Sequence, residues 1–195
     1  MKPSWVFASN NKHKLEEVRE ILGSHIIILS LNDINCKVNP EETGETFAEN
    51  ALIKCRAVAE FTTLPVLADD SGLSVFALNG QPGVKSARYA GEQATDYDNV
   101  QKLLIEMAGA EDRRAYFTAC LCLSDSRRDS LFFEGLLHGE IVAEPRGTQG
   151  FGYDPVFIPD GYNLTFAELG AELKNTISHR RLALNKLFSS GVLSL

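Results

Sequence analysis

No CxxC pair occurs among the four cysteines of this 195-residue chain, Cys36, Cys55, Cys120 and Cys122. Cys120 and Cys122 lie two apart in an expected strand, on one face, where they cannot easily bridge. The cysteines therefore read as reduced core thiols of a cytoplasmic protein. Long apolar runs are also missing. The N-terminal run Trp5 to Ala8 is too short for a signal-peptide core, and no later run approaches transmembrane length, so no membrane role is expected. Basic charge is in deficit, 19 Lys and Arg against 26 Asp and Glu, for a formal net charge of −7. Sequence-independent duplex binding needs a basic face, so nucleic acid is not the expected partner. A Walker A glycine pattern is absent, which excludes an ordinary P-loop. There is no internal repeat, low-complexity tract or linker, and residues 1–195 read as one domain. A hydrophobic fraction of 44% with 23% charged residues excludes a disordered chain and a coiled coil.

What is present alternates between two periodicities. Trp5 to Ser9 predicts a strand, a polar Ser9-Asn10-Asn11 turn follows, and Leu15, Val18, Ile21 and Leu22 recur at helical spacing until Gly23. His25 to Leu29 predicts a second strand. Thr46 opens a helix with Glu49 in a capping box, its buried stripe being Phe47, Ala51, Leu52, Cys55, Val58 and Ala59. The apolar strand Leu64 to Ala68 runs into Asp69-Asp70-Ser71-Gly72. Asp96 is expected to cap a further helix carrying Val100, Leu103, Leu104 and Met107. Two β segments, Ala115 to Leu123 and Leu131 to Ala143, predict an antiparallel hairpin about a charged turn at Ser124 to Asp129. A last helix is expected from about Asn175 to Ser189. Helices and strands alternate early and strands dominate the middle, which predicts a mixed α/β protein.

Four constellations carry potential chemistry. Ser9-x-Asn11-x-x-Lys14 stands where a strand hands over to a helix, and helix N-termini favour anions, so a polyphosphate suits it; simple helix capping is the bland alternative. The acidic set Glu41, Glu42, Asp69 and Asp70 offers hard oxygen ligands of the kind magnesium takes together with substrate phosphates. A carboxylate outside such a set can deprotonate a water, whereas the bland alternative is an Asp turn closing the strand. Downstream cations are Lys54, Arg88, Lys174, His179 and Arg180. His179 and Arg180 on the first turns of a helix oppose its dipole, so they need another reason to be there. Finally, Gly147 to Pro155 places glycines around Phe151 and Tyr153, leaving a ring able to stack on a base.

Together these stretches resemble the inosine triphosphate pyrophosphatases, enzymes of deaminated purine nucleotides, from Val6 to about Leu187. The matching motifs run in order: Ser9-x-Asn11-x-x-Lys14; Glu41-Glu42-Thr43-Gly44-x-Thr46-Phe47-x-Glu49-Asn50-Ala51 with Lys54; and Ala68-Asp69-Asp70-Ser71-Gly72-Leu73. Then come Pro82-Gly83 with Ser86-Ala87-Arg88-Tyr89, Phe151-Gly152-Tyr153-Asp154-Pro155, and Lys174 with Ile177-Ser178-His179-Arg180. The resemblance implies Mg²⁺-dependent hydrolysis of ITP, dITP and XTP to the monophosphate and pyrophosphate. It implies an elongated mixed central sheet flanked by helices, with two lobes around an active-site cleft, and a homodimer. Carried over, Ser9, Asn10, Asn11, Lys12, His13 and Lys14 would hold the triphosphate. Glu41 and Asp70 would serve the metal, and Asp70 would also take the proton of the attacking water. Ser71 and Lys174 would touch substrate, while Phe151, Gly152, Tyr153 and Asp154, with His179 and Arg180, would hold the base. The choice between Glu41 and Glu42, and between Asp69 and Asp70, stays open at this point. Two other readings are a pyrophosphatase of another modified nucleotide and a nucleotide sensor without turnover.

Overall fold

A computed structural model describes residues 2–125 and 128–192. Six strands form one mixed sheet in the order β2-β1-β3-β4-β5-β6. They are β1 (Ser4–Phe7), β2 (Ile27–Leu29), β3 (Val66–Val75), β4 (Arg114–Asp125), β5 (Arg128–Ile141) and β6 (Phe157–Pro159). β1 pairs in parallel with both β2 and β3, and β5 pairs antiparallel with β6. β4 and β5 are neighbours, as the expected hairpin requires; residues 126 and 127 of its turn lie outside the described residues. Among the described residues five α-helices accompany the sheet: α1 (Lys12–Leu22), α2 (Phe47–Ala59), α3 (Asp96–Glu106), α4 (Phe166–Ile177) and α5 (His179–Ser189). This is the α/β class that the alternation of periods implied.

Local signals explain most boundaries. α1 begins at Asn11, whose side chain accepts from the Lys14 N–H, and ends at Gly23. α2 opens on the Thr46–Glu49 capping box expected from the sequence. α3 starts one residue earlier than expected: Thr95 is the N-cap and forms the capping box with Asp98. Asp96 is thereby the first helical residue, and its carboxylate is available for other work. The expected last helix is two, because Ser178 adopts an extended backbone (φ −63°, ψ 160°) and stops α4 before α5 begins. β3 does not end at the aspartates either. It continues through Asp69 and Asp70 to Val75, since both carboxylates find cationic partners on the flanking helices.

The chain divides into two compact units. The first comprises Met1–Asp70, Ala119–Gly135 and Arg180–Leu195. Its core gathers Phe7, Leu22, Leu67, Leu121 and Leu184 in one cluster, and Val6, Ala51, Cys55, Val66 and Cys122 in another. The second comprises Ser71–Thr118 and Leu136–His179, around Leu73, Leu103, Phe117, Phe157 and Phe166. Each fully buried Leu or Phe contributes about 1.5–3 kcal/mol, so these clusters hold the strands rigid beneath the polar residues they carry. All four cysteines are buried and reduced, as expected. Among the described residues no helix is long and apolar enough to cross a membrane.

Candidate active site

Adjacent residues of a strand face opposite sides, and β3 uses this to send its two aspartates into different surroundings. Asp69 is wholly buried and accepts from Lys14 Nζ at 2.8 Å and from Arg180 Nε at 2.7 Å. Arg180 is itself fully buried and also pairs with Glu17 on α1. Asp70 accepts from Lys54 Nζ at 2.7 Å, and that ammonium lies 3.0 Å from Glu42. Asn50 Nδ2 stands 3.4 Å from the second Asp70 oxygen. All these groups belong to the first unit.

The electrostatics separate the two carboxyls. Burial opposes the charge on Asp69, but the Arg180 guanidinium and Lys14 ammonium outweigh it and hold the acid well below the usual carboxylate range. Burial of Asp70 dominates its partners Lys54 and Lys14, and its pKa is raised. Lys14 is lowered by burial, with Asp69 offsetting part of the effect. Burial also works against the Lys54 charge, yet Asp70 and Glu42 raise its pKa above the ordinary value. Paired acids with opposed shifts are a familiar way to divide a structural anion from a proton acceptor.

The remaining phosphate-directed residues sit at the start of α1. Ser9 Oγ accepts from the Asn11 N–H at 3.2 Å, and Asn11 caps the helix. Asn10 bonds Asn39, Lys12 is exposed, and His13 lies 3.8 Å from Glu16. The α1 first turn contains no acidic residue. Helix capping and an anion-favouring N-terminus thus coexist in one turn. Glu41 is exposed, whereas Glu42 is the glutamate that approaches Lys54.

The second unit holds the other group. Lys174 donates to Asp154 at 2.6 Å and stands 4.2 Å from the centroid of the Phe151 ring. Asp154 also accepts from the Phe151 N–H at 2.9 Å. A side chain at Gly150 would collide with the Asp154 carboxylate, and its φ of 80° is the left-handed conformation glycine adopts readily. Tyr153 donates to the Ser86 carbonyl at 2.9 Å, and the His179 ring stacks on Phe117 with centroids 4.7 Å apart. Ser71 follows Asp70 on β3 and is half-buried. Arg180, placed with the base-holding residues by sequence, directs its guanidinium to Asp69 and Glu17. That explains a cation at the start of α5: two buried carboxylates outweigh the unfavourable dipole.

Sequence reasoning passed over Glu17, Asn50 and Asp96 as site-associated residues. Asn50 interrupts the apolar stripe of α2, and Glu17 lies one turn from Lys14; a polar residue on a buried helical face was the available signal. Asp96 carried no such signal, because its partner, the Gly152 N–H, is 56 positions away.

The donor chemistry can be tested against a divalent cation. Among the described residues no group of three or more His, Cys, Asp or Glu side chains converges as a self-sufficient metal cage. Magnesium seldom uses one; it takes one or two carboxylates, waters and substrate phosphates. Asp70 and Glu42 already converge on one cationic group, Lys54, so the hard-oxygen set fits such an ion.

Comparison with known proteins places this geometry in context. Residues 5–190 match the model of the Ham1 family. The chain is 48% identical over 182 residues to a dITP/XTP pyrophosphatase of Flavobacterium psychrophilum, covering 93% of this chain and 95% of the relative. It is 48% identical over 183 residues to a dITP/XTP pyrophosphatase of Porphyromonas gingivalis, covering 93% and 94%. The solved structure of the Staphylococcus aureus Ham1 protein superposes with a TM-score of 0.86 at 42% identity, covering 96% of this chain and 98% of that one.

Proposed function

The chain belongs to the Ham1 family, and from that premise we propose that it hydrolyses the triphosphates of deaminated purines, ITP, dITP and XTP, to the monophosphate and pyrophosphate. The observation that carries this reading is the divided pair on β3: Asp69 locked between Lys14 and Arg180, and Asp70 with a raised pKa beside Lys54. Relatives named dITP/XTP pyrophosphatase supply the substrate class.

In the proposed reaction a water attacks the α-phosphorus and pyrophosphate leaves. Asp70 orients that water and accepts its proton; a carboxylate shifted upward is the better base. Lys14, with the Ser9 hydroxyl and the N–H groups opening α1, holds the triphosphate and takes up charge as the leaving group departs. Asp69 and Arg180 keep Lys14 in place. Mg²⁺, held by Asp70 with Glu42 or Glu41, would supply charge neutralisation on the phosphates. Little covalent chemistry falls to the protein, so positioning accounts for most of the acceleration.

Base selection is assigned to Phe151, Gly152, Tyr153, Asp154, Lys174 and His179. A 6-oxo purine presents an acceptor where adenine presents an amino donor. The Lys174 ammonium can donate to the former and not to the latter, and a site built to hydrogen-bond one group can reject its replacement by about 10⁴ or more. The same reading proposes a cytoplasmic homodimer acting as one catalytic domain.

The test is pyrophosphate release from ITP, dITP, XTP, GTP, ATP and CTP, with magnesium and with EDTA. Metal-dependent release favouring ITP, dITP and XTP, with the monophosphate as co-product, is expected. Orthophosphate release would reassign the attacked phosphorus. Tight ITP binding without turnover would make the protein a sensor.

A further inference from the structure

The loop after β5 is held from a direction that none of the matching motifs contains. Asp96, the first residue of α3, plays no part in capping its own helix, because Thr95 and Asp98 exchange those bonds. Its carboxylate reaches across the second unit instead and accepts from the Gly152 N–H at 2.7 Å. The preceding N–H, that of Phe151, is taken by Asp154 at 2.9 Å. Two successive amides of the aromatic loop are therefore each anchored to a carboxylate, and Gly152 sits at φ 58°, left-handed backbone that a glycine adopts readily. Between these anchors the Phe151 ring is presented over the Lys174 ammonium.

We propose that Asp96 is a specificity-determining positioning residue: by fixing the Gly152 amide it sets the Phe151 ring at the height and tilt at which a purine stacks. The residue touches no substrate itself. The physical basis is that a charge-assisted bond to a backbone amide is stronger than a neutral one and directional. Losing it leaves a flexible glycine next to the ring, and a platform held loosely discriminates poorly between bases of equal stacking area. This inference rests on the assignment of residues 151–154 to the base, so the experiment separates the two.

The measurement is the ratio of kcat/KM for ITP to that for ATP, with Tm, in wild type, Asp96→Ala, Asp96→Asn, Asp98→Ala and Phe151→Ala. Asp96→Ala is expected to reduce the ratio about tenfold, mainly through KM for ITP, the size of effect a lost charge-assisted hydrogen bond gives. Asp96→Asn keeps an acceptor oxygen and should hold the ratio within about twofold of wild type. Asp98→Ala breaks the α3 cap, so it should lower Tm and leave the ratio alone. An unchanged ratio in Asp96→Ala while Phe151→Ala collapses it would overturn the role of Asp96 and leave the base assignment standing. Equal shifts in Asp96→Ala and Asp98→Ala would overturn it in favour of α3 stability alone. An unchanged ratio in Phe151→Ala would remove the base assignment and the proposal with it.

Discussion

Asp69 and Asp70 are neighbours on one strand, yet they are driven in opposite directions: Asp69 is held well below the carboxylate range, and burial raises Asp70 from its ordinary value. The alternation of a β-strand places one among Lys14 and Arg180 and the other beside Lys54 and Asn50. Two identical side chains thereby acquire different tasks.

The raised acid is assigned to proton transfer. Asp70→Asn is expected to reduce kcat for pyrophosphate release by about 10²–10⁴, the range ascribed to a positioned general base. Its Tm serves as the folding control, because Lys54 still has Glu42 as a carboxylate partner, 3.0 Å away in the wild type. Wild-type kcat in this variant would remove Asp70 from the mechanism.

The pH dependence follows with its sign. Asp70 acts as a base when ionised, and its pKa is raised by burial. In the metal-free protein the Asp70 carboxyl should therefore protonate at a pH above that of an ordinary aspartate, and bound Mg²⁺ should lower it. The acid limb of kcat/KM should then move to lower pH as Mg²⁺ is raised, and Asp70→Glu should shift its midpoint. A pH–rate profile from acid to neutral checks this. A flat profile through that range contradicts the assignment.

The depressed acid is assigned to the framework. Asp69 contributes stability that is present above its unfolded-state pKa and is lost as pH falls through its lower folded value. Arg180→Ala leaves Asp69 and Glu17 without the guanidinium and is expected to cost about 3–5 kcal/mol, as measured by urea unfolding. A change below about 0.5 kcal/mol, typical of surface substitutions, would show the cluster to be dispensable.

Lys14 links that framework to the substrate. Lys14→Ala should raise KM for ITP by about tenfold or more, while the ITP to ATP ratio stays constant, because the phosphates are common to both nucleotides. An unaltered kcat/KM would return Lys14 to a capping-turn cation with no substrate role.

The cysteines offer a separate check on the core. Cys55 is buried, and its thiol contacts the Val66 and Cys122 carbonyls at 3.1 and 3.4 Å. Hydrogen bonding to Cys122 and burial push its pKa up, and Cys120 is pushed up to about 12, chiefly by burial. Neither forms a thiolate near neutrality, so both should resist a thiol reagent until the chain is denatured. Rapid labelling of Cys55 or Cys120 in the native protein, located by peptide mapping, would contradict this packing.

Short-range physics was legible from the chain alone. The Thr46–Glu49 box, the Asn11 turn with Gly23 at the far end of α1, and the apolar approach to Asp69 each depend on residues within a few positions. The motifs also sufficed to suggest the chemistry, since side-chain type and spacing restrict which ions and phosphates can be held. The tertiary structure decided which group takes which role. Glu17 and Arg180 are 163 positions apart and Asp96 and Gly152 are 56 apart, so no local pattern announces either bond. The division of Asp69 from Asp70 is of the same kind. Their pKa values depend on the desolvation and charge that other segments bring to them, and these exist only once β3 is packed beneath α1, α2 and α5.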